Sequence, residues 1–151
     1  MGNLGIHEGL ARARTGEVLV VHGFANPSRA LIGELIAGRA HDSGLAGFVS
    51  DGAIRDVAAI EELGLPVFAR AVTPAGPFKM GPYRHQVPVT IGGQCVLPGD
   101  VIVADADGVV VIPFTDLSAT VAAAEDIHDI EIGKRLALAS QGSPSSAPPA
   151  S

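Results

Sequence analysis

Short apolar runs that alternate with helical periodicity fill the first half of this chain, and no other feature restricts its topology so strongly. An apolar face at Ile6, Leu10 and Ala13 predicts a helix, Val18 to Val21 a strand, Ser28 to His41 a helix, and Ala46 to Val49 a second strand. The segment Ser50 to Asp56 reads as a loop, Val57 to Leu63 as a short helix, and Pro66 to Val72 as a third strand. Strands separated by helices pair in parallel, because a crossover connection returns the chain to the same end of the sheet. An α/β fold is therefore expected.

The second half changes character. Val87 to Ile91, Val101 to Ala104 and Val109 to Ile112 are β-branched runs broken by Gly, Pro and Asp turns, so this part reads as mostly β. Asp105, Asp107 and Gly108 predict a tight turn between two strands; the remaining EF-hand spacing and its terminal Glu are missing, which argues against a calcium loop. Thr115 to about Leu138 reads as a helix. From Ser143 to Ser151 only Ser, Pro and Ala occur, a composition with too little apolar surface to offset the entropy of ordering. The expected organisation is one domain over residues 1–140 and a disordered tail over 141–151. A 151-residue chain that is 47% apolar suffices for one core.

Charge narrows the functional classes. Ten basic side chains stand against 16 acidic ones, for a net −6, with no Lys/Arg cluster able to neutralise a row of phosphates, so nucleic acid is not expected as a partner. Cys95 is the only cysteine, which rules out an intramolecular disulfide and, with the histidines at scattered spacings, a zinc cluster. Its place beside an apolar run predicts a buried, inert thiol. The first ten residues lack a basic segment followed by an apolar one, and no run is long enough to cross a bilayer. A soluble, cytoplasmic protein is expected, without a membrane partner. No two glycines stand two apart, so neither a dinucleotide fingerprint nor a methyltransferase-type glycine loop is available.

In an open α/β sheet, ligands bind where the carboxyl ends of parallel strands meet the following loops. The loop after the second predicted strand ends in Arg55-Asp56, a fixed cation beside a carboxylate. A hard cation such as Mg²⁺ commonly takes one or two carboxylates and keeps several waters, which suits Asp56. Arg55 offers paired planar donors to a carboxylate or a polarised carbonyl. The plainer reading of such a dipeptide is a helix cap with a solvated charge. Further upstream, free N–H groups around Gly33, Glu34, Leu35 and Ile36 could receive a substrate carboxylate if a helix begins there; otherwise Glu34 is an ordinary exposed helix residue and Gly33 a packing glycine. His7, His22, His41, His85 and His128 show no i, i+4 pairing; His22 and His85, in predicted loops, are candidate neighbours of the site. Ser28, Ser43 and Ser50 lie in no nucleophile elbow.

Four blocks occur in order: Gly33-Glu34-Leu35-Ile36-Ala37, Asp51-Gly52-Ala53-Ile54-Arg55-Asp56, Leu65-Pro66-Val67-Phe68-Ala69-Arg70, and Pro98-Gly99-Asp100-Val101-Ile102-Val103-Ala104-Asp105-Ala106-Asp107-Gly108-Val109. In this order they resemble the RraA-like proteins, a family that includes 4-hydroxy-4-methyl-2-oxoglutarate aldolases; the likeness spans about residues 3 to 135. The resemblance implies a swivelling β/β/α domain and a homotrimer, or a hexamer of two trimers, with sites between subunits. It also implies that Asp56 holds a divalent cation (Mg²⁺ or Mn²⁺), that Arg55 contacts substrate, and that the backbone from Gly33 to Ile36 receives the substrate carboxylate. Glu34 stands where many aldolases have Asp and is expected to orient water on the metal. Glu131, ahead of Lys134-Arg135, matches the carboxylate that a neighbouring subunit's C-terminal helix supplies in the aldolases.

Family members carry several dozen residues ahead of the point where this chain starts, so a shortened form is expected, as is a tail that departs from the aldolase pattern after Gly142. The implied activity is metal-dependent carbon–carbon lysis. It takes the form of retro-aldol cleavage of a 4-hydroxy-4-methyl-2-oxoglutarate-type acid to pyruvate, or decarboxylation of oxaloacetate. A Schiff-base route is disfavoured, since neither lysine, Lys79 or Lys134, falls in an evidently apolar setting. The competing expectation is a non-enzymatic regulator of ribonuclease E, as in the family's name-giving members. Those lack an intact Arg-Asp pair, and this chain retains it.

Overall fold

The computed structural model describes residues 2–141, which form two compact units, the first ending at Pro113 and the second beginning at Phe114. The tail predicted over 141–151 lies outside the described residues, apart from Gln141.

The first unit is organised by its third strand. Its strands are β1 (Val18–Val21), β2 (Ala30–Ile32), β3 (Gly47–Ile54) and β4 (Val67–Val72), all pairing with β3 in parallel. β1 pairs with the first half of β3, with Val18 opposite Gly47 and Val21 opposite Ser50, and β2 pairs with its far end through Ala30–Ala53 and Ile32–Ile54. β4 runs along β3 from Phe48–Val67 to Ile54–Val72, with one extra β3 residue between Ser50 and Ala53. All eight β3 residues are buried, as expected of a parallel strand with partners at its edges and covered faces.

Helices α1 (Leu4–Arg12), α2 (Glu34–Asp42) and α3 (Val57–Leu63) turn their apolar residues to this sheet. Ile6 and Leu10 of α1, Ile36, Ala37 and Ala40 of α2 and Ile60 of α3 join Leu31, Ile32, Phe48 and Ile54 in one core. The face predicted at Ile6 and Leu10 is thus the buried one.

Two expectations about this unit's parallel strands are corrected. The helix predicted from Ser28 starts only at Glu34, because Ala30-Leu31-Ile32 forms β2, each residue fully buried. A three-residue strand is too short to display its period, and its apolar residues merged with the helical pattern that follows. The predicted Ser50–Asp56 loop is strand as far as Ile54. Its polar residues suggested a turn, yet the structure buries them and satisfies them by hydrogen bonds, Ser50 Oγ accepting from Gly52 N at 3.1 Å.

The β-rich part forms two hairpins, β5 (Val89–Ile91) with β6 (Gln94–Val96) and β7 (Val101–Asp105) with β8 (Gly108–Ile112). The second turns where Asp105, Asp107 and Gly108 predicted it, with Asp107 N donating to Asp105 Oδ1 at 2.8 Å. β6 escaped sequence reading, and Cys95, which it carries, is exposed rather than buried. Every second side chain of a two-stranded ribbon faces outward, which explains that correction.

The second unit comprises a 3₁₀ turn at Phe114–Asp116 and helix α4 (Leu117–Gln141), close to the predicted span. Among the described residues no helix is long and apolar enough to cross a membrane.

Candidate active site

β3 delivers Arg55 and Asp56 directly beyond its last residue, Ile54, and β2 delivers Gly33 and Glu34 directly beyond Ile32. Because β2 pairs with the far end of β3, both exits lie side by side. The backbone stitches them together: Arg55 N donates to Ile32 O at 3.0 Å.

Asp56 adopts a left-handed conformation, φ 58° and ψ 40°, at the N-cap position of α3. Asp tolerates this region better than most residues, though at a cost. The conformation takes its carboxylate away from α3, which receives no side-chain cap. Oδ2 instead accepts from Glu34 N, in the first turn of α2, at 3.2 Å, and lies 3.3 Å from Arg55 Nε. The carboxylate is therefore set between a guanidinium and the positive end of a neighbouring helix. Oδ1 accepts no hydrogen bond among the described residues. The simple reading of a residue capping its own helix does not hold.

Gly33 makes this approach possible. A Cβ there would lie 2.6 Å from Asp56 Oδ2 and 2.9 Å from Arg55 Nε, far inside contact distance. The Arg55 and Asp56 side chains stay 42% and 35% exposed, so water screens their attraction and the pair contributes orientation more than stability.

The other expected site residues fall in distinct environments. Glu34 is exposed in the first turn of α2 and Leu35 is 75% exposed beside it. Ile36 turns its side chain into the core, and its N–H donates to Gly33 O at 3.1 Å. Glu131 lies on α4 in the second unit, 3.4 Å from Arg135 one turn on. His85, a candidate neighbour, packs edge-on against Tyr83 with Nε2 buried and without a hydrogen-bond partner among the described residues.

A divalent cation would find one well-oriented carboxylate at Asp56 with an uncommitted oxygen, and the exposed Glu34 carboxylate nearby in the chain. No group of three or more His, Cys, Asp or Glu suited to a metal occurs among the described residues. That donor set fits a hard cation such as Mg²⁺ or Mn²⁺, held by one carboxylate and water, better than one that needs a cage of protein ligands. The surroundings are open: two cavities of the first unit, of about 330 and 590 Å³, are lined by neither Arg55, Asp56 nor Glu34. Orientation of charges, rather than enclosure, recommends the Arg55–Asp56 site.

Sequence reading missed two features. Asp51, buried within β3, accepts from His22 Nδ1 at 2.9 Å, from Ala25 N at 3.0 Å and from Gly23 N, and so holds the β1–β2 loop to the central strand. An acidic residue two positions after the apolar run Ala46 to Val49 was the available signal. Arg29, directly before β2, donates through Nη1 to Gly76 O at 2.9 Å, and its Cζ lies over the Phe78 ring, 4.2 Å from the centre. No sequence signal marks it, because Gly76 and Phe78 follow β4, more than forty residues on.

Comparisons agree with this architecture. A family model described as RraA-like, Aldolase/RraA, matches residues 2–111. A protein of Halalkalibacterium halodurans, provisionally named a 4-hydroxy-4-methyl-2-oxoglutarate aldolase, is 43% identical over 111 residues, 74% of this chain and 53% of its own length. The chain thus spans about half the length of that curated relative. Among solved structures, an unusual Streptomyces coelicolor member of the RNase ES inhibitor RraA family is 34% identical with a TM-score of 0.82, covering 87% of this chain and 68% of its own. A Geobacillus kaustophilus protein described as an S-adenosylmethionine:2-dimethylmenaquinone methyltransferase is 38% identical with a TM-score of 0.71, covering 74% and 69%.

Proposed function

This chain belongs to the RraA-like family, Aldolase/RraA, and from that membership we propose that it is a divalent-metal-dependent carbon–carbon lyase acting on small 2-oxo acids. The substrates are 4-hydroxy-4-methyl-2-oxoglutarate-type acids, cleaved by retro-aldol reaction to pyruvate, or oxaloacetate, decarboxylated to pyruvate. The observation that carries this reading is the Asp56 carboxylate, turned by its left-handed backbone to lie between Arg55 and the start of α2 with one oxygen uncommitted. The likeness to a relative provisionally named an aldolase supports it.

In both reactions the bond between C3 and C4 breaks and its electron pair passes into a pyruvate enolate. Retro-aldol cleavage also takes the proton of the C4 hydroxyl; decarboxylation releases CO₂; each ends with protonation at C3. Asp56 would hold the cation, with Glu34 as an outer acceptor, and the bound metal would supply a Lewis acid for the 2-oxo oxygen. Arg55 places fixed N–H donors where negative charge develops. The start of α2, from Gly33 through Leu35 to Ile36, lends its dipole to the substrate carboxylate. A homotrimer, or a pair of trimers, would complete the site with Glu131 from a neighbouring subunit.

The second reading, a protein-binding regulator of ribonuclease E, draws on the likeness to the Streptomyces coelicolor structure. A coupled assay of pyruvate release, with oxaloacetate and 4-hydroxy-2-oxo acids, separates the two. Turnover is expected with Mg²⁺ or Mn²⁺, silenced by EDTA and restored by added metal, and lost by at least a hundredfold in Asp56→Ala with the fold retained. Rates unaffected by excess chelator, or full activity in Asp56→Ala, would sink the metal assignment. No turnover with any of these acids would favour the regulator.

A further inference from the structure

We propose that Arg29 recognises the distal carboxylate of the substrate, and so selects dicarboxylic over monocarboxylic 2-oxo acids; the proposal rests on the lyase reading above. Arg29 and Arg55 converge on one residue. The first donates to Gly76 O at 2.9 Å, and a Cβ on Gly76 would stand 3.3 Å from Nη1 of the second. Two guanidinium groups thus approach the same residue, Gly76, one of them belonging to the site.

Their states differ. Arg55 has Asp56 as its counter-ion, whereas Arg29 has no carboxylate within ion-pair distance among the described residues. It is half-buried, so a lone positive charge is held where water only partly relieves it. Its Cζ lies over the Phe78 ring, 4.2 Å from the centre, and the Gly76 carbonyl takes one of its five N–H donors. Among the described residues its other donors have no hydrogen-bond partner, and a guanidinium can offer such donors to a carboxylate as two parallel bonds.

The surroundings hold Arg29 in that posture. Ala30 N donates to Ala75 O at 2.8 Å, Thr73 N to Ile54 O at 3.0 Å, and Asn3 N to Phe78 O at 3.1 Å, which ties the segment after β4 to β2, β3 and α1. A preorganised, uncompensated cation beside the residues proposed to bind the 2-oxo acid end suits a ligand with a second anionic group. Pyruvate has none; oxaloacetate and 4-hydroxy-4-methyl-2-oxoglutarate do.

Calorimetric titration of the full chain with Mg²⁺ tests this, using pyruvate and 2-oxoglutarate, a dicarboxylate with neither a 4-hydroxyl nor a β-carboxylate to lose. Wild type is expected to bind 2-oxoglutarate at least tenfold more tightly than pyruvate. Arg29→Gln should bring 2-oxoglutarate down to the pyruvate level while leaving pyruvate within twofold, and Arg29→Lys, which keeps the charge but not the fork, should recover part of the preference. Equal loss of both ligands in Arg29→Gln would make Arg29 a loop strut and overturn the proposal. So would a preference that persists in that variant, or the absence of any preference in wild type. Wild type that binds neither acid would overturn the lyase reading and this proposal together, an outcome distinct from a lost preference with pyruvate still bound.

Discussion

Asp56 spends free energy on its backbone, since a non-glycine residue at φ 58° lies in a region that costs about 1–3 kcal/mol and persists only where the surroundings hold it. What holds it is visible: Glu34 N and Arg55 Nε on Oδ2, and a Gly33 that leaves room for both. Strain of this kind, with the side chain turned away from the helix it precedes, suits a residue kept for its direction. On the proposed lyase reading Arg55 faces a related demand, because a planar edge rather than mere charge would meet the substrate. Arg55→Lys should therefore lower kcat by at least tenfold in the pyruvate-release assay if Arg55 acts on developing charge, with KM changed little. A rise confined to KM would make it an anchor for the substrate instead, and unchanged kcat/KM would remove it from the site.

At the scale of elements, β3 connects the site to the core. Phe48 is fully buried, whereas three residues later Asp51 is buried as a polar group that reaches across to β1's loop. That loop includes Phe24 and Ala25, both at positive φ, so Asp51 holds a turn that its own residues disfavour. Asp51→Ala would leave the N–H groups of Gly23 and Ala25 without their acceptor, and should cost about 1–3 kcal/mol in urea denaturation. Hydrogen exchange at those two amides should rise before exchange in β3 itself. Protection unchanged at Gly23 and Ala25 would show that the loop is held by other contacts. Phe48→Ala, a cavity in the core, should cost more, about 3–5 kcal/mol.

At the scale of the whole molecule, the first unit leaves Arg55 and Asp56 open where catalysis would gain from enclosure. Arg55 is 42% exposed at its side chain, and α4 presents Ile127, Ile130, Leu136 and Leu138 to solvent. A helix with apolar residues so exposed, and with none buried among its described residues, would suit an interaction surface. A cyclic homotrimer, in which one patch docks on a different patch of the next copy, would use it. Light scattering coupled to size exclusion is expected to show three chains or six. A stable monomer with full lyase activity would refute a site shared between subunits.

The α/β class, the parallel pairing of the first half, the hairpin turn at Asp105–Gly108, α3 over Val57–Leu63 and the place of Arg55-Asp56 at the entry to that helix were legible in the sequence. Each rests on local periodicity, on local turn chemistry or on contiguous motifs, which a linear reading preserves. What lay out of reach depends on which segments meet. β2 is too short to carry a period, and its place at the far end of β3 follows from pairing rather than from its own residues. Ser50 and Asp51 look like a loop until hydrogen bonds across the β1–β2 connection allow a buried strand to contain them. The direction of Asp56 was decided by its backbone angle and by a helix that begins 22 residues earlier, and the convergence of Arg29 and Arg55 on Gly76 by the path of the chain after β4. Local sequence sets the elements because neighbouring residues share one backbone; only tertiary packing brings together charges that the chain keeps far apart.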